Sequence, residues 1–373
     1  MKRIYSHLFL AILLMIGMSF SNSSQALRTL ASSAKAFSVE HSFSSWGIKN
    51  TPENGSINVV PAWKNFEKKK EVIVAVVDTG IDPEHTFIKD NLYFPQGSVN
   101  AKQFGFDFSS TQASTTPLDD HGHGTNVAGI IKSIFPEVRM IPLKYFSPKS
   151  SPESVFSAAL AALEKAVDLG VDVINYSGGG PGMSLAELKI LKKAQDKGII
   201  IVAAAGNEHS DIDDSSKAYF PASYHLPNII TVGAYDSSMA KLYASNWGKK
   251  TVDIMAPGKN ILSAFTSLGM NPNRNLLAER NVAYVKNNLD GKTSSQMMSG
   301  TSQATAFVTG VVALLKAQHP HLGYQQIREI ILESAKKENT FSDLCISGGR
   351  LDAGKAMELA KTKYAPKVVI AKK

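Results

Sequence analysis

The chain has 373 residues, 43% of them apolar and 19% charged, with a formal net charge of +8. That composition excludes a disordered chain and is ample for a large buried core. A single cysteine, Cys345, excludes an intrachain disulfide framework.

Lys2 and Arg3 precede an apolar run from Leu8 to Phe20 and the small polar segment Ser21 to Ala26. This is the pattern of an export signal, with Ser24 and Ala26 at the −3 and −1 positions of a cleavage site. The apolar run is short for a membrane span, so no stable span is expected after cleavage at 26. Cleavage would leave 38 basic and 32 acidic residues, a net +6. That balance does not mark a nucleic-acid binder. The clusters Lys68-Lys69-Lys70 and 361–373 read as solvated faces. Residues 27–45 are Ser/Ala-rich without clear periodicity and are expected to form a short arm.

From residue 71 short β-branched runs alternate with amphipathic segments. Strands are predicted at 72–77, 140–146, 171–176, 199–204 and 229–232, nearly all apolar as doubly covered parallel strands are. Val127, Ile130, Ile131 and Ile134 make one helical stripe. Ser151-Pro152-Glu153 opens a second helix that closes at Gly170, and a third runs from about Leu185 to Gly198. Two more follow residue 302, separated by Pro320. The expected fold is a three-layer α/β/α domain over 46–362 with a mostly parallel central sheet. The polar, Asn-rich stretch 266–298 is long for a loop and is a candidate lid; 363–373 form a basic tail.

Four segments can carry chemistry. EVIVAVVDTGID delivers Asp78 to a strand end, where ligands of parallel sheets gather, although a carboxylate there can also cap a turn. The aspartic-peptidase chemistry that Asp-Thr-Gly suggests needs a second such carboxylate, and none exists. DDHGHGT sets His123 at a helix entry; His121-x-His123 without a cysteine or third spaced histidine is weak for zinc. VAAAGNE brings Asn207 to the same sheet edge, where its amide can hold an oxyanion or cap a turn. SGTSQAT places Ser302 at the start of a helix, either as a simple cap or as a nucleophile beside backbone donors and the positive helix end.

Together with VINYSGGGPG, PASYHLPNIITVGAYD, VDIMAPG and GGRLDAGKA, these segments resemble the subtilisin-like serine peptidases, the subtilases, in family order across roughly 46–360. The order Asp, His, Ser is that of subtilisin. The resemblance implies an exported, monomeric serine endopeptidase, secreted or periplasmic, acting on proteins or peptides. Asp78, His123 and Ser302 would be catalytic, Asn207 an oxyanion donor, and Ser177, Gly178, Gly179, Ala205 and Gly206 substrate-binding. His123 rather than His121 is chosen because Gly124-Thr125 follows it.

Where the chain departs from the family, Asn126 stands for the usual histidine and Ala306 for the usual proline. The second change is expected to alter the first turn of the serine helix. Only eight residues separate Ile131 from Met140 where many relatives hold a calcium loop, and Phe87 replaces a frequent aspartate. No metal or cofactor is therefore predicted, with calcium left open at another site. The 19 residues between Ala26 and Trp46 are too few for the usual propeptide domain, so folding without one is expected. Restraint would then come from the 266–298 insertion or an external partner. Pocket-lining positions, including Tyr219, carry no acidic residue that would attract Lys or Arg, and a medium apolar residue before the scissile bond is expected.

Overall fold

The computed structural model describes residues 37, 45–49, 51–64, 66–96, 98, 103–110, 114–148, 150–266, 283–285 and 294–364. The signal segment and the 365–373 part of the tail lie outside them, as do 27–45 except Phe37 and Ser45. All the elements named below fall within Ser42–Lys373.

In chain order the chain folds into α1 (Trp46–Lys49), α2 (Val59–Lys64), β1 (Ile73–Asp78), β2 (Phe106–Asp107), α3 (His123–Ile134) and β3 (Arg139–Lys144). Next come α4 (Pro152–Leu169), β4 (Val173–Tyr176), β5 (Gly180–Pro181), α5 (Leu185–Asp196), β6 (Ile200–Ala204), β7 (Tyr219–Phe220) and β8 (Ile229–Tyr235). The remainder is β9 (Ile254–Pro257), β10 (Ile261–Ala264), β11 (Ala283–Val285), β12 (Ser295–Met298), α6 (Thr301–Gln318), α7 (Tyr324–Glu333), β13 (Lys336–Lys337), β14 (Gly349–Arg350) and α8 (Ala353–Lys363).

The main sheet has the order β13-β14-β9-β8-β6-β4-β1-β3-β2, parallel except for the β13–β14 pair. Alternation along each strand assigns its two faces. Ala75 and Val77 of β1, and Ile174 and Tyr176 of β4, join Ala162, Leu163 and Ala166 of α4 and Leu191 and Ala194 of α5 in one buried cluster. Val74, Val76 and Asp78, and likewise Asn175, therefore face the opposite layer, where α3 and α6 pack. The predicted three-layer architecture is present, and alternation alone sends Asp78 toward the helices that carry His123 and Ser302.

The helix ends follow local chemistry. Ser151 caps α4 by accepting from Ser154 N, Pro152 opens the helix, and Gly170 closes it in the left-handed conformation (φ 64°). The five predicted strands appear within two residues of their expected starts. The stretch read as a loop from 266 to 298 instead ends in a strand. Ser295–Met298 form β12, paired antiparallel with β10 from Ile261↔Met298 to Ala264↔Ser295. Gln296 is buried there although its polarity had argued for a loop. Residues 267–282 and 286–293 of the candidate lid lie outside the described residues.

Candidate active site

β1, β4 and β6 are neighbours in the sheet, so their carboxyl ends bring Asp78, Ser177 and the 205–207 segment to one edge. His123 is the first residue of α3 and Ser302 the second of α6, both helices arriving at that edge with their N-termini. Asp78, 3% exposed, holds His123: its Oδ1 lies 2.7 Å from His123 Nδ1 and also accepts from Thr79 N at 2.7 Å. His121 packs edge-on against Phe146.

Close backbone approach makes the Asp78–His123 contact possible. A methyl on Gly124 would sit 2.1 Å from Gly80 O and 3.2 Å from Asp78 Oδ1, so only glycine lets the first turn of α3 dock against the β1 turn. Asp119 fixes the same turn from beneath. It is fully buried and accepts from Thr79 Oγ1 (2.8 Å), His121 N (3.0 Å), Gly122 N (2.7 Å), Thr125 N (2.9 Å) and Thr125 Oγ1 (2.6 Å). Burial pushes its carboxyl above the ordinary carboxylate range, against the pull of these donors. Thr79 Oγ1 in turn accepts from Gly124 N at 2.9 Å, joining the aspartate strand to the histidine helix.

Ser302 is buried to 6% exposure, and its hydroxyl donates to Ser177 O at 3.0 Å. Ser177 Oγ donates back to Ser302 O at 3.3 Å and accepts from Asn175 Nδ2 at 2.9 Å, while Asn175 Oδ1 accepts from Thr309 Oγ1 at 2.8 Å. The nucleophile candidate is thus tied to the end of β4. In register beside it, Gln303 Nε2 donates to Asn126 Oδ1 at 3.3 Å, linking the first turns of α3 and α6. Asn126 Nδ2 donates onward to Ala264 O and Gln296 O, binding both helices to the β10–β12 pair. Ala306 is the sixth residue of an uninterrupted α6 and so lies in its second turn, not in the first turn that its substitution for proline was expected to alter.

Asn207 is exposed and its Oδ1 accepts from Thr301 N (2.9 Å) and Thr301 Oγ1 (3.2 Å). Gly300, which precedes α6, offers no side-chain cap, so Asn207 supplies one from another segment. The loop carrying Asn207 hangs on buried Asn246. Asn246 Nδ2 donates to Ala205 O (2.8 Å) and Glu208 Oε2 (2.6 Å), while its Oδ1 accepts from Glu208 N and Ser210 N, both at 3.0 Å. The glycines sit where the backbone is crowded: a methyl on Gly178 would lie 2.1 Å from Tyr145 Oη, and one on Gly179 would lie 2.4 Å from Phe220 O.

The sequence analysis missed Asp119, Asn126, Asn175, Asn246 and Gln303 as positioning groups. A signal existed for Asn175, a lone amide in a fully apolar strand. Among the described residues no group of three or more His, Cys, Asp or Glu is placed to hold a metal. Phe87 carries the Lys132 ammonium 4.7 Å above its ring.

A model of the subtilase family, peptidase S8, matches residues 69–348. Subtilisin DY of Bacillus licheniformis is 30% identical over 277 residues, covering 72% of this chain and 85% of that protein. Subtilisin amylosacchariticus of Bacillus subtilis subsp. amylosacchariticus is 32% identical over 274 residues, 71% of this chain but 60% of that protein, so the match spans less than two thirds of that relative. A Pseudoalteromonas arctica protease superposes with a TM-score of 0.64 at 21% identity, over 85% of this chain and 97% of that one.

Proposed function

The chain belongs to the subtilase family of serine peptidases, and on that premise we propose that it is an exported, monomeric endopeptidase cleaving proteins or peptides through Asp78, His123 and Ser302. The observation that carries the reading is the 2.7 Å contact of buried Asp78 with His123 Nδ1, at the sheet edge where Ser302 also lies. An acceptor at Nδ1 keeps the proton on that nitrogen and leaves Nε2 basic.

The cycle begins as the Ser302 hydroxyl turns from Ser177 O to His123 Nε2. Oγ gives its proton to Nε2 and attacks the scissile carbonyl carbon, and Asp78 stabilises the imidazolium that forms. The carbonyl oxygen becomes an oxyanion between the Asn207 amide and the Ser302 backbone N–H at the positive end of α6. His123 then protonates the leaving amine, giving an acyl-enzyme on Ser302, and a water activated by His123 releases the acid. Glycines at 178, 179 and 206 would let an extended substrate lie close to the backbone. Residues 1–26 support export by their charged, apolar and small-residue succession. No helix among the described residues is long and apolar enough to cross a membrane.

The Ser302 hydroxyl bound to Ser177 O favours one rival, a binding protein that keeps the fold without turnover. Mixing the folded protein with a p-nitrophenyl ester separates the two. The proposal requires a burst of about one nitrophenolate per chain followed by slow turnover, both abolished in Ser302→Ala. Absence of the burst in protein with native circular dichroism selects the rival.

A further inference from the structure

His123 and Ser302 stand at the starts of two helices, α3 and α6, that pack against each other. At the far level of that packing a methyl on Gly310 of α6 would lie 2.7 Å from Cβ of Ile134, the last residue of α3. At the near level two buried amides meet: Gln303 Nε2 donates to Asn126 Oδ1 at 3.3 Å, with Gln303 1% and Asn126 0% exposed. The two levels are joined by residues 126 to 134 on α3 and 303 to 310 on α6, about 12 Å and about 10 Å of helix at 1.5 Å per residue. The helices therefore run side by side in one direction, touching near His123 and Ser302 and again farther along.

The far contact is apolar and blocks approach, but it does not by itself fix an angle. Turning α6 about that point by about 5° would move its start by about 1 Å, because the lever is about 10 Å long. A displacement of about 1 Å between reacting groups costs about 100-fold in rate. Asn126 is a fixed anchor against such a turn. Its Nδ2 donates to Ala264 O at 3.3 Å and Gln296 O at 3.2 Å, and its backbone carbonyl accepts from Ser263 Oγ at 2.7 Å. Asp119 and Thr79 hold the same turn of α3 to the β1 turn. Asn207 and Ser177 tie the start of α6 to segments that follow sheet strands, whereas the amide pair ties it to α3 itself. Both amides are neutral at any working pH, so the tie does not titrate.

We propose that Asn126 and Gln303 are positioning residues that act as one unit, holding Ser302 Oγ at reacting distance from His123, a role that rests on the peptidase reading above. Neither side chain needs to touch substrate. Their removal should therefore slow the chemical step and leave binding nearly as it was.

The test is steady-state hydrolysis of one peptide by the full chain, Gln303→Met, Asn126→Leu and the double variant, each with native circular dichroism. Gln303→Met keeps the volume and removes only the donor. It should lower kcat roughly 10- to 100-fold, with KM within about twofold and the midpoint of the pH–kcat/KM curve unchanged because Asp78 still holds His123. Asn126→Leu should do at least as much, and the double variant should be no slower than Asn126→Leu, since each change breaks the same bond. Should Asn126→Leu fail to fold, Gln303→Met decides alone. Natural kcat in folded Gln303→Met, a change confined to KM, or losses that multiply in the double variant overturn the proposal. Labelling with a small ethyl fluorophosphonate keeps two failures apart: a folded natural chain that does not label overturns the peptidase reading itself, whereas a labelled natural chain whose variants keep natural kcat overturns only the role of the pair.

Discussion

Replacing Asn207 separates two tasks assigned to one side chain, one observed and one proposed. Its Oδ1 accepts from Thr301 N and Thr301 Oγ1 at the uncapped start of α6, and its amide nitrogen is the proposed oxyanion donor. Asn207→Ala removes both. Losing an N-terminal cap costs about 1 kcal/mol of stability. Losing one oxyanion donor costs about 3 kcal/mol in the transition state, roughly 100- to 1000-fold in kcat, a magnitude taken from subtilisin, a relative of this chain. Asn207→Asp keeps an acceptor for Thr301 and adds a negative charge beside the positive end of the helix, worth up to about 1 kcal/mol at an exposed site. The same carboxylate faces the oxyanion and repels it. The Asp variant should therefore be at least as stable as the natural protein while being the slower of the two variants, with the Ala variant less stable. Urea unfolding followed by fluorescence measures the first effect, and steady-state peptide hydrolysis, with KM nearly unchanged, the second. An Asn207→Asp protein of natural activity, or an Ala variant that loses activity without losing stability, would refute the assignment of both tasks to this residue.

Other outcomes follow from particular contacts. Gly124→Ala drives a methyl to 2.1 Å from Gly80 O and should push His123 off Asp78, lowering kcat/KM by at least about 100-fold; unchanged kinetics would show that α3 can dock without that approach. Asp119→Asn turns amide hydrogens toward groups that are themselves donors, so chemical unfolding should reveal a loss of about 1–3 kcal/mol, with none observed if the network is dispensable. His319, buried at the end of α6, is pushed down to about 4 by burial, aided by the charges of His321 and Lys69. Its folded pKa lies below the unfolded value, so the stability held by neutral His319 is complete above about 6.5 and is lost as pH falls toward 4. His319→Gln should flatten that part of the stability–pH curve, and an unchanged slope would assign it to other groups.

The candidate site was legible wherever a proposed functional side chain sits at the end of a regular element. Asp78 ends an apolar strand, Asn207 follows another, and His123 and Ser302 open helices, so period and breakpoint place them, while their roles came from the family resemblance. What remained hidden acts across large separations in sequence. Asn126 and Gln303 meet over 177 positions, and Asn246 reaches back 38 to Glu208, pairings that no local pattern encodes. The resemblance set Asn126 apart only as a departure from a histidine. The structure supplies a reason, because Gln303 stands beside it as hydrogen-bond partner and the two amides form a matched pair. Tyr219 was placed among the pocket positions, yet its ring lying against both Gly179 and Gly206 is a three-dimensional fact. Polarity misled in the 295–298 segment, where Gln296 is buried in a strand by partners drawn from β10 and α3.

The central claim is that Asp78 and His123 activate Ser302 as the acylating nucleophile. Incubation of the folded chain with a fluorophosphonate, followed by tryptic mass spectrometry, addresses it most directly. One adduct per chain on the peptide bearing Ser302, absent in Ser302→Ala and formed far more slowly in His123→Ala, is the predicted result. A natively folded chain that stays unlabelled, or an adduct on another residue, would contradict it.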